Sequence, residues 1–480
     1  LSFLKENELN LVMDKGEIPQ ISRWKILLFC AVLFGVRDKK LVLKYSYKFR
    51  MDKSYLIPIH EWQQNRDIMI RRANLESFMD GPQILESIGR NLNQQFYEVN
   101  DLIDLDEIEG LQKRSNRWTL RNLEANYDNS KFIPALLNDH KAITLYELLA
   151  EIDKYTNFSD MLQNKKSGKE MSITKLKQVY ASLMSLGTNL GHHDMARATR
   201  KNISEKQLRD TEKQWLSPSS LAKANEAMVS FIKSLPLPTI YHNNADELFS
   251  SSDGKKITVA VNSLLANFSY KYYGKEQGIT ANSFADDSQI FFNINVHTSS
   301  DREAASMLDG MVESTRVLYP ENEMKHWHAT DQHGFTDAIF AGMHFINVQF
   351  APRFAKIHDQ KLWAFDAKTK QAMKGRTVKP GRVINRKRIL SHWDQILHLM
   401  ASIKLGYCSA SHIFRMMSAQ SPKSDLFAAL ESFGQLLKSS YILTYLKSTE
   451  LRRNVQKQLN RIEHGQKLSE AVFFARQGKL

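Results

Sequence analysis

The chain has 480 residues, of which 42% are hydrophobic and 25% charged, and its lysines and arginines outnumber its acidic residues by 66 to 52. This composition excludes collagen-like, low-complexity and disordered chains, and the length corresponds to about three domains. The net charge of +14 predicts a polyanionic partner, either nucleic acid or an anionic membrane surface. A basic surface without a partner is the alternative.

The cysteine content and the longest apolar run bear on the compartment. Two cysteines, Cys30 and Cys408, cannot make a disulfide framework, and they indicate a reducing compartment. The run 26–36 is too short to span a bilayer, so we expect a buried helix there. In a signal peptide this run would lie near an initiator methionine, but the first residue of the chain is Leu1. We therefore expect a fragment of a longer protein.

Two helical blocks are predicted before residue 240. In the first, residues 1 to about 110, the apolar positions with helical spacing are Trp24, Ile26, Leu27, Ala31 and Phe34, and then Ile84, Ile88, Leu92 and Phe96. The acidic stretch 101–109 and the basic residues after it indicate a boundary or an exposed connector. In the second block, residues 130–235, the apolar faces consist of Ile143, Leu145, Leu148, Leu149 and Ile152, and of Leu176, Val179, Leu183 and Leu186.

From residue 250 the apolar period changes to two, which predicts strands. The predicted strands are 257–261, 290–296, 324–330 and 348–354, with a further strand allowed between 264 and 273. Helical patterns at 302–318 and 336–346 separate the later strands. Strands followed by helix-linked strands predict a mixed sheet with helices packed on it.

After residue 366 the pattern is helical again. The shared faces consist of Trp393, Ile396, Leu397, Met400 and Ile403, of Phe427, Leu430, Phe433 and Leu437, and of Leu451, Val455, Leu459 and Ile462. The sequence contains no GxxxxGK[ST], no GxSxG and no GxGxxG after a strand. Nucleotide-driven motors, serine hydrolases and Rossmann dehydrogenases therefore have no support.

Three acidic residues lie at or near the ends of predicted elements, where active sites of open sheets are usually found. Asp253 lies in a Ser-Ser-Asp-Gly sequence at the first strand, Asp331 follows the strand 324–330, and Glu463 borders the apolar face of the last helix. Each also has a structural interpretation. Asp253 is a candidate turn residue, Asp331 a candidate turn residue or helix cap, and Glu463 a candidate surface carboxylate. If the three converge, their mutual repulsion favours Mg²⁺ or Mn²⁺, and two such ions support in-line phosphoryl transfer.

Histidines and basic residues near these carboxylates allow further hypotheses. His326 and His328 share a strand face beside His333, so zinc is an alternative, although polar strand-edge histidines are commoner; His333 is also a candidate proton carrier or phosphate contact. The segment 367–388 has no acidic residue, and Gly375 and Pro380 indicate a loop. Its basic residues are Lys368, Lys370, Lys374, Arg376, Lys379, Arg382, Arg386, Lys387 and Arg388, and the last helix adds Arg452, Arg453, Lys457 and Arg461. We expect them to bind DNA phosphates, with a solvated linker as the alternative.

Several blocks resemble the Tn3 family of replicative DDE transposases. They read SSDGKKITVAVNSLLANFSYKYYGKEQGIT, HATDQHGFTDAIFAGMHFINVQFAPRF, WDQILHLMASIKLGYCSAS and YLKSTELRRNVQKQLNRIEHGQKLSEAVFFARQGK. Upstream, ITLYELLAEIDKYTNF and LMSLGTNLGHHDMARAT also fit the family. The resemblance covers roughly residues 130–480.

This resemblance implies a mixed α/β chain with a ribonuclease-H-like catalytic domain, helical domains before it and a helical insertion within it. The implied boundaries are 1–130 for a helical domain or linker, 131–248 for a helical domain, 249–365 plus 446–480 for the catalytic domain, and 366–445 for the insertion with its basic loop. The implied catalytic and metal-binding residues are Asp253, Asp331 and Glu463, with two Mg²⁺ ions that Mn²⁺ can replace. Family members usually have glycine before this glutamate, where Ile462 stands here, so Glu470 and Glu450 are alternatives.

The function implied is that of a bacterial DNA transposase. Such an enzyme cleaves the transposon ends to free 3′-hydroxyls and transfers them into target DNA. The partners are terminal inverted repeats and target DNA, the expected state is a homodimer, and the expected location is the cytoplasm, at the nucleoid. The alternatives are a non-catalytic basic architectural protein and a ribonuclease-H-like nuclease without strand transfer. A membrane-surface role is the weakest alternative, because no separate basic amphipathic helix is evident.

Overall fold

The computed structural model describes residues 12–14, 18–37, 41, 43, 52–114, 117–121, 143–162, 171–241, 247–260, 262–299, 303–317, 325–331, 334–419 and 424–478. The α-helices in these ranges are α1 (Ile21–Arg37), α2 (Ile59–Arg72), α3 (Gly81–Asp104), α4 (Leu145–Thr156), α5 (Ile173–Gly187), α6 (Gly191–Ala198), α7 (Glu205–Trp215), α8 (Pro218–Ser234), α9 (Tyr270–Tyr273), α10 (Glu303–Val317), α11 (Asp337–Phe345), α12 (Ala367–Ala372), α13 (Arg386–Ser391), α14 (Trp393–Lys404), α15 (Ala410–Ser418), α16 (Asp425–Lys447) and α17 (Thr449–Val472). None of these helices is long and apolar enough to cross a membrane.

The strands within the described ranges form one large sheet and three small ones. They are β1 (Met13–Asp14), β2 (Ile18–Pro19), β3 (Leu111–Arg114), β4 (Arg117–Leu120), β5 (Glu247–Val259), β6 (Asn267–Phe268), β7 (Gln277–Asp286), β8 (Phe291–Thr298), β9 (Lys325–Thr330), β10 (Val348–Pro352), β11 (Trp363–Ala364) and β12 (Arg382–Val383). In the large sheet the order is β10-β9-β5-β7, with β8 and β6 both paired to β7. The mixed α/β class predicted from the sequence is therefore confirmed.

The large sheet has an antiparallel half and a parallel half. Strand β7 pairs antiparallel with both β5 and β8. On its other side β5 pairs parallel with β9, and β9 pairs parallel with β10. Helix α10 precedes β9 and helix α11 precedes β10, as crossovers between parallel strands require.

Helices cover both faces of this sheet. On one face Asn293 and Asn295 of β8 donate to the Gly310 and Ser306 carbonyls of α10 at 3.1 Å each. On the other face Gln458 of α17 donates to the Ser251 hydroxyl of β5 at 3.3 Å. Because side chains alternate along a strand, Ser251 faces α17, whereas Gly254, three residues further on, faces α10.

Most predicted elements of this region are confirmed, with one omission. The strands at 290–296, 324–330 and 348–354 and the helices between them lie within a few residues of β8, β9, β10, α10 and α11. The first strand begins earlier than predicted, at Glu247, and β6 lies within 264–273. The central strand β7 was not predicted, because its buried positions include Gly278, Thr280 and Asn282 rather than large apolar residues.

One continuous hydrophobic core joins the sheet to helices before and after it. Phe96 of α3, Phe249 of β5, Phe345 of α11 and Phe433 of α16 all belong to it and are fully buried. Helix α16 approaches α11 so closely that a Cβ on Gly434 would lie 1.7 Å from the Asp337 carbonyl oxygen. The helices α4 to α8 instead enclose two smaller cores, one around Trp215 and Tyr180 and one around Leu208.

Two local predictions are wrong. The apolar run 26–36 forms α1, but Ile26, Phe29 and Leu33 are each more than 60% exposed, because the described elements do not pack over them. The basic segment 367–388, predicted as a loop, contains α12, β12 and the start of α13. Its few apolar residues, among them Met373 and Val378, are buried, and this burial stabilises short elements within a polar sequence.

Candidate active site

Two aspartates lie side by side where the parallel strands β5 and β9 diverge. The parallel register ends with Ser251 opposite Ala329, and Asp253 and Asp331 each lie two residues further on. They therefore occupy equivalent positions at the carboxyl ends of adjacent paired segments, where open sheets place their sites. The sequence predicted a strand end for Asp331, whereas it placed Asp253 at the start of the first strand, and the structure places it inside β5.

The backbone holds the two aspartates differently. Beyond its pairing with β9, strand β5 continues with β7, where Asp253 is opposite Ser283, and the Gly254 amide donates to Asp253 Oδ1 at 2.9 Å. Asp331 follows the last residue of β9, and the Gly334 amide donates to its carbonyl oxygen at 3.2 Å. One carboxylate therefore stands on a continuous strand, and the other begins a turn.

Helix α17 brings Glu463 towards this edge. Gln458 fixes the helix on the sheet by donating to the Ala285 carbonyl at 3.2 Å, and Gln466 donates to the Asp253 carbonyl at 3.3 Å. Glu463 is exposed and lies between these two anchoring residues. Ile462, which stands before it, is buried and belongs to the face that packs on the sheet.

The alternatives to Glu463 lie elsewhere on the same helix. Glu450 is in the first turn of α17, thirteen residues before Glu463, which corresponds to about 20 Å along a helix. Glu470 forms an ion pair with Lys255 at 3.1 Å. The assignment of the third carboxylate stays a prediction, and of these three residues Glu463 is the one whose charge is shown to raise the pKa of Asp253.

The pKa of the Asp253 carboxyl depends on three other acidic residues. Burial raises the pKa of the Asp253 carboxyl above its usual value, and the Asp331 charge raises it further. The Gly254 amide opposes this change, while the charges of Glu303 and Glu463 add to it. An ionised Asp253 is therefore destabilised by its surroundings, as expected where like charges converge in a partly dehydrated site.

The sequence analysis missed Glu303, although it predicted the helix that carries it. Glu303 is the first residue of α10, and a Cβ on Gly254 would lie 3.0 Å from its Oε1 atom. It forms an ion pair with Lys256 of β5. An acidic residue in the first turn of a helix after a strand is the only signal available in the sequence, and it fits helix-dipole stabilisation equally well.

A narrow cleft opens between β5, β9 and the start of α10. Asp253, Asp331 and Glu303 line it together with Ser252 and Thr330. The Thr330 side chain is buried, and its hydroxyl has no hydrogen-bond partner within the described residues. A buried hydroxyl without a partner beside three carboxylates leaves an oxygen donor available to a bound group.

The two strand histidines are buried rather than at a polar edge, so that interpretation is wrong. The Ser250 hydroxyl lies 2.7 Å from His326 Nε2 and 2.8 Å from His328 Nδ1, and His328 Nε2 lies 3.0 Å from the Ser252 hydroxyl. Burial, together with the Lys233 charge, lowers the pKa of His326 to about 3, and burial lowers that of His328. Neutral rings bonded to serine hydroxyls account for both residues, and His333 lies outside the described residues.

Several predicted DNA contacts take part in contacts within the chain. Arg376 pairs with Asp101 and with Asp104 at 2.9 Å, and Arg386 pairs with Glu86 at 2.6 Å. Arg452 is buried and donates to the Glu109 carbonyl at 2.8 Å, while Arg453 pairs with the Glu109 carboxylate at 2.9 Å. Lys457 is half-buried, which lowers its pKa. The exposed members of the set are Lys368, Lys370, Lys374, Lys379, Arg382, Lys387 and Arg388, together with the paired Arg386.

Asp253 and Asp331 lie on adjacent strands where these diverge, and the charge of Glu463 on α17 acts on Asp253. Residues 147–480 match the family model described as the Tn3 transposase DDE domain, and the chain belongs to this family. It is 31% identical over 98% of its length to the transposase for transposon Tn1546 of Enterococcus faecium, covering 46% of that protein. It is 27% identical over its whole length to the transposase for transposon Tn2501 of Escherichia coli, covering 47% of that protein.

The chain thus spans about half the length of the curated relatives it matches. Among solved structures, a piggyBac transposase synaptic complex with hairpin DNA aligns with 66% of this chain and 84% of that chain, at 11% identity. Its TM-score of 0.24 is too low to support an argument about the fold.

Family membership implies dependence on a divalent metal. Within the described residues, no three His, Cys, Asp or Glu side chains are grouped closely enough to form a ready metal site. The donors nevertheless fit a hard cation, because Asp253 and Asp331 are carboxylates and the Thr330 hydroxyl is buried without a partner. A cation beside Asp253 would also offset the repulsion that raises its pKa.

Proposed function

We propose that this chain is the catalytic portion of a replicative DNA transposase, which cleaves transposon ends to free 3′-hydroxyls and transfers them to target DNA. The observation that carries the proposal is the equivalent placement of Asp253 and Asp331 on adjacent parallel strands, in a chain that belongs to the Tn3 DDE family. Glu463, on the helix that covers this edge, is the third carboxylate of the proposed site.

A ribonuclease-H-like fold for the catalytic domain is part of the proposal. Three antiparallel strands in chain order, β5, β7 and β8, are joined at β5 to two parallel strands, β9 and β10. The first strand is therefore central, and it carries the first carboxylate. This strand order supports a ribonuclease-H-like domain whose site lies at the junction of the antiparallel and parallel halves.

Asp253, Asp331 and Glu463 would hold two Mg²⁺ ions. Bound ions would stabilise the charge that develops on the phosphate oxygens during in-line transfer. The chain itself orients the ligands: the Gly254 amide holds the Asp253 carboxylate, and Gln466 holds its backbone. Glu303 keeps the Lys256 ammonium beside the cleft, where it attracts an anionic strand.

Binding of the DNA backbone is proposed for the basic residues outside the cleft. The exposed residues Lys374, Lys379, Lys387 and Arg388 are the ones most able to exchange solvent counterions for phosphates. Arg376, Arg452 and Arg453 would instead position the helices to which they are bonded. Inverted-repeat and target DNA as substrates, a homodimer, and a cytoplasmic location at the nucleoid complete the proposal.

An end-cleavage and strand-transfer assay tests the catalytic proposal. Labelled transposon-end DNA is incubated with the full-length gene product in Mg²⁺, in Mn²⁺ and in EDTA. We expect metal-dependent nicking and joined products, which Glu463→Gln lowers by about a hundredfold or more because it removes a metal ligand. Glu470→Gln, on the same helix, is the matched control and should retain activity.

Each other result of this assay rejects part of the proposal. Salt-sensitive binding without cleavage by the full-length protein would indicate an architectural DNA-binding protein. Nicking without joined products would indicate a nuclease. Undiminished cleavage by Glu463→Gln, with loss in Glu470→Gln, would move the third carboxylate along the helix.

A further inference from the structure

The connection between β5 and β7 presents large apolar side chains to solvent. We refer to residues 262–276 as the tyrosine lobe. Within it Leu264 is 100% exposed, Phe268 72% and Tyr270 83%. Three such side chains in one short segment form an exposed patch of the kind that marks a binding surface.

Contacts with β7 hold the backbone of the tyrosine lobe in place. Tyr273 points inward, donates its hydroxyl proton to the Ile279 carbonyl at 2.8 Å, and is buried. Its ring lies on β7 at Gly278, where a Cβ would come within 2.4 Å of it. Gln277 donates to Asn262 at 2.9 Å across the base of the lobe. The backbone is therefore anchored, while the neighbouring Tyr270 remains outside.

The sequence from β5 into the tyrosine lobe is basic, and Glu276 at the end of the lobe is the one acidic residue in 262–276. Between Gly254 and Lys275 the sequence contains four lysines and no acidic residue. Two of these lysines flank one ring: the Lys256 and Lys271 ammonium groups lie 5.0 and 4.9 Å from the centre of the Tyr272 ring. Aromatic rings interleaved with lysines form a platform suited to bases and phosphates, whereas a purely apolar patch would suit a protein partner.

The lobe is also connected to the carboxylate site. Lys256 lies three residues beyond Asp253 on β5, about 10 Å along a strand. It contacts Glu303, whose charge acts on Asp253, and it lies over Tyr272. A DNA strand whose phosphate is at Asp253 would therefore bring its adjacent bases to the lobe.

We propose that the tyrosine lobe binds unpaired bases of the DNA strand that enters the carboxylate site, with Phe268 and Tyr270 stacking on base faces and Lys271 and Lys275 contacting phosphates. The inference rests on the proposed function and adds a binding site to it. Unpaired bases are required because a duplex hides its base faces except at its ends. A second copy of the chain is disfavoured as the occupant, since symmetric contact would bring lysines together.

The test measures DNA binding apart from cleavage. Full-length protein in EDTA is titrated with two transposon-end DNAs, one fully paired and one with unpaired bases beside the cleavage position, each carrying 2-aminopurine there. Wild type should prefer the unpaired DNA and quench its fluorescence. Tyr270→Ala should reduce the preference about tenfold and abolish the quenching, because one stacked base is lost.

Two control variants separate stacking from general damage. Tyr270→Phe retains an aromatic face and should behave as wild type. Phe474→Ala removes an aromatic residue of similar exposure, 61%, that lies beyond α17, and should leave DNA preference unchanged. Sedimentation of each variant reports whether the lobe mediates self-association instead.

The possible outcomes distinguish this inference from the catalytic proposal. Wild type that cleaves in Mg²⁺ but shows no preference sensitive to Tyr270→Ala overturns the inference alone. A smaller sedimenting mass in Tyr270→Ala with unchanged DNA preference also overturns it, in favour of a second copy. Preference that depends on Tyr270, in a protein that never cleaves, rejects the catalytic proposal and leaves the base-binding surface standing.

Discussion

The same pair of strands buries polar groups in two different ways. In the middle of β5 and β9, the Ser250 hydroxyl joins the rings of His326 and His328. A few residues further along, Asp253 and Asp331 meet where the two strands diverge. Burial disfavours the charged form in both places, so it lowers the pKa of the histidines and raises that of Asp253.

The two places differ in what accompanies the buried group. The histidines are neutral and have serine hydroxyls at 2.7 to 3.0 Å, so their polar atoms are satisfied within the fold. Asp253 has one amide donor and three carboxylates acting on it. Buried polar groups that satisfy each other stabilise the fold, whereas like charges that converge in a partly buried site are typical of a ligand-binding site.

The largest expected effect on stability lies in the middle of the strands. Ser250→Ala removes the hydroxyl between the two rings and leaves buried ring nitrogens without that partner. We expect a loss of about 1–3 kcal/mol for each unsatisfied group in the free energy of unfolding. Denaturant unfolding at pH 7 measures the loss, and Ser469→Ala, an exposed serine bonded within its own helix, is the control. Equal stability of the two variants would show that the hydroxyl is dispensable.

The buried histidines also give this region a pH dependence of definite sign. In the unfolded chain each ring takes up a proton below about pH 6.5, whereas folded His326 resists protonation down to about 3. The stabilisation is therefore fully present above pH 6.5 and is lost as the pH falls towards 3. The slope should reach about 1.4 kcal/mol per pH unit for each such histidine.

How far the sequence predicts the molecule differs between these regions. Alternation of large apolar residues located β8, β9 and β10 and so placed Asp331 after a strand, whereas Asp253 lies inside β5, a strand whose first ten residues the pattern did not predict. The strand β7 was missed because the polar residues Thr280 and Asn282 occupy buried positions in it. A polar residue is normally interpreted as solvent-exposed, so the alternation of apolar residues is absent.

The remaining errors concern tertiary partners, which a single sequence does not specify. His326 and His328 alternate like exposed residues, and only the Ser250 hydroxyl across the register explains their burial. The role of Glu303 depends on Gly254 and Lys256, about fifty residues earlier in the chain. Such pairings follow from packing, so they become visible only in the folded chain.

A smaller effect of opposite sign is expected at the end of the strands. Because the pKa of Asp253 is raised in the folded protein, its contribution to stability is full below the ordinary carboxyl value and is lost as the pH rises through the raised one. Asp253→Asn keeps an oxygen for the Gly254 amide and removes the charge. In EDTA at pH 7 it should therefore unfold at a higher temperature than wild type, and the two should converge on acidification. A variant less stable than wild type at pH 7 would contradict the repulsion.

The smallest effect concerns Glu303, which forms an ion pair with Lys256 and whose charge also acts on Asp253. Glu303→Gln loses the ion pair with Lys256 and at the same time relieves repulsion at Asp253. In the wild type these changes oppose each other, so we expect little net change in the free energy of unfolding in EDTA. In the Asp253→Asn background only the lost ion pair remains, and Glu303→Gln should destabilise, with a coupling of about 0.5 kcal/mol or more. Equal effects in both backgrounds would mean that Glu303 contributes to stability without acting on Asp253, so that its role, like that of the strand histidines, is structural.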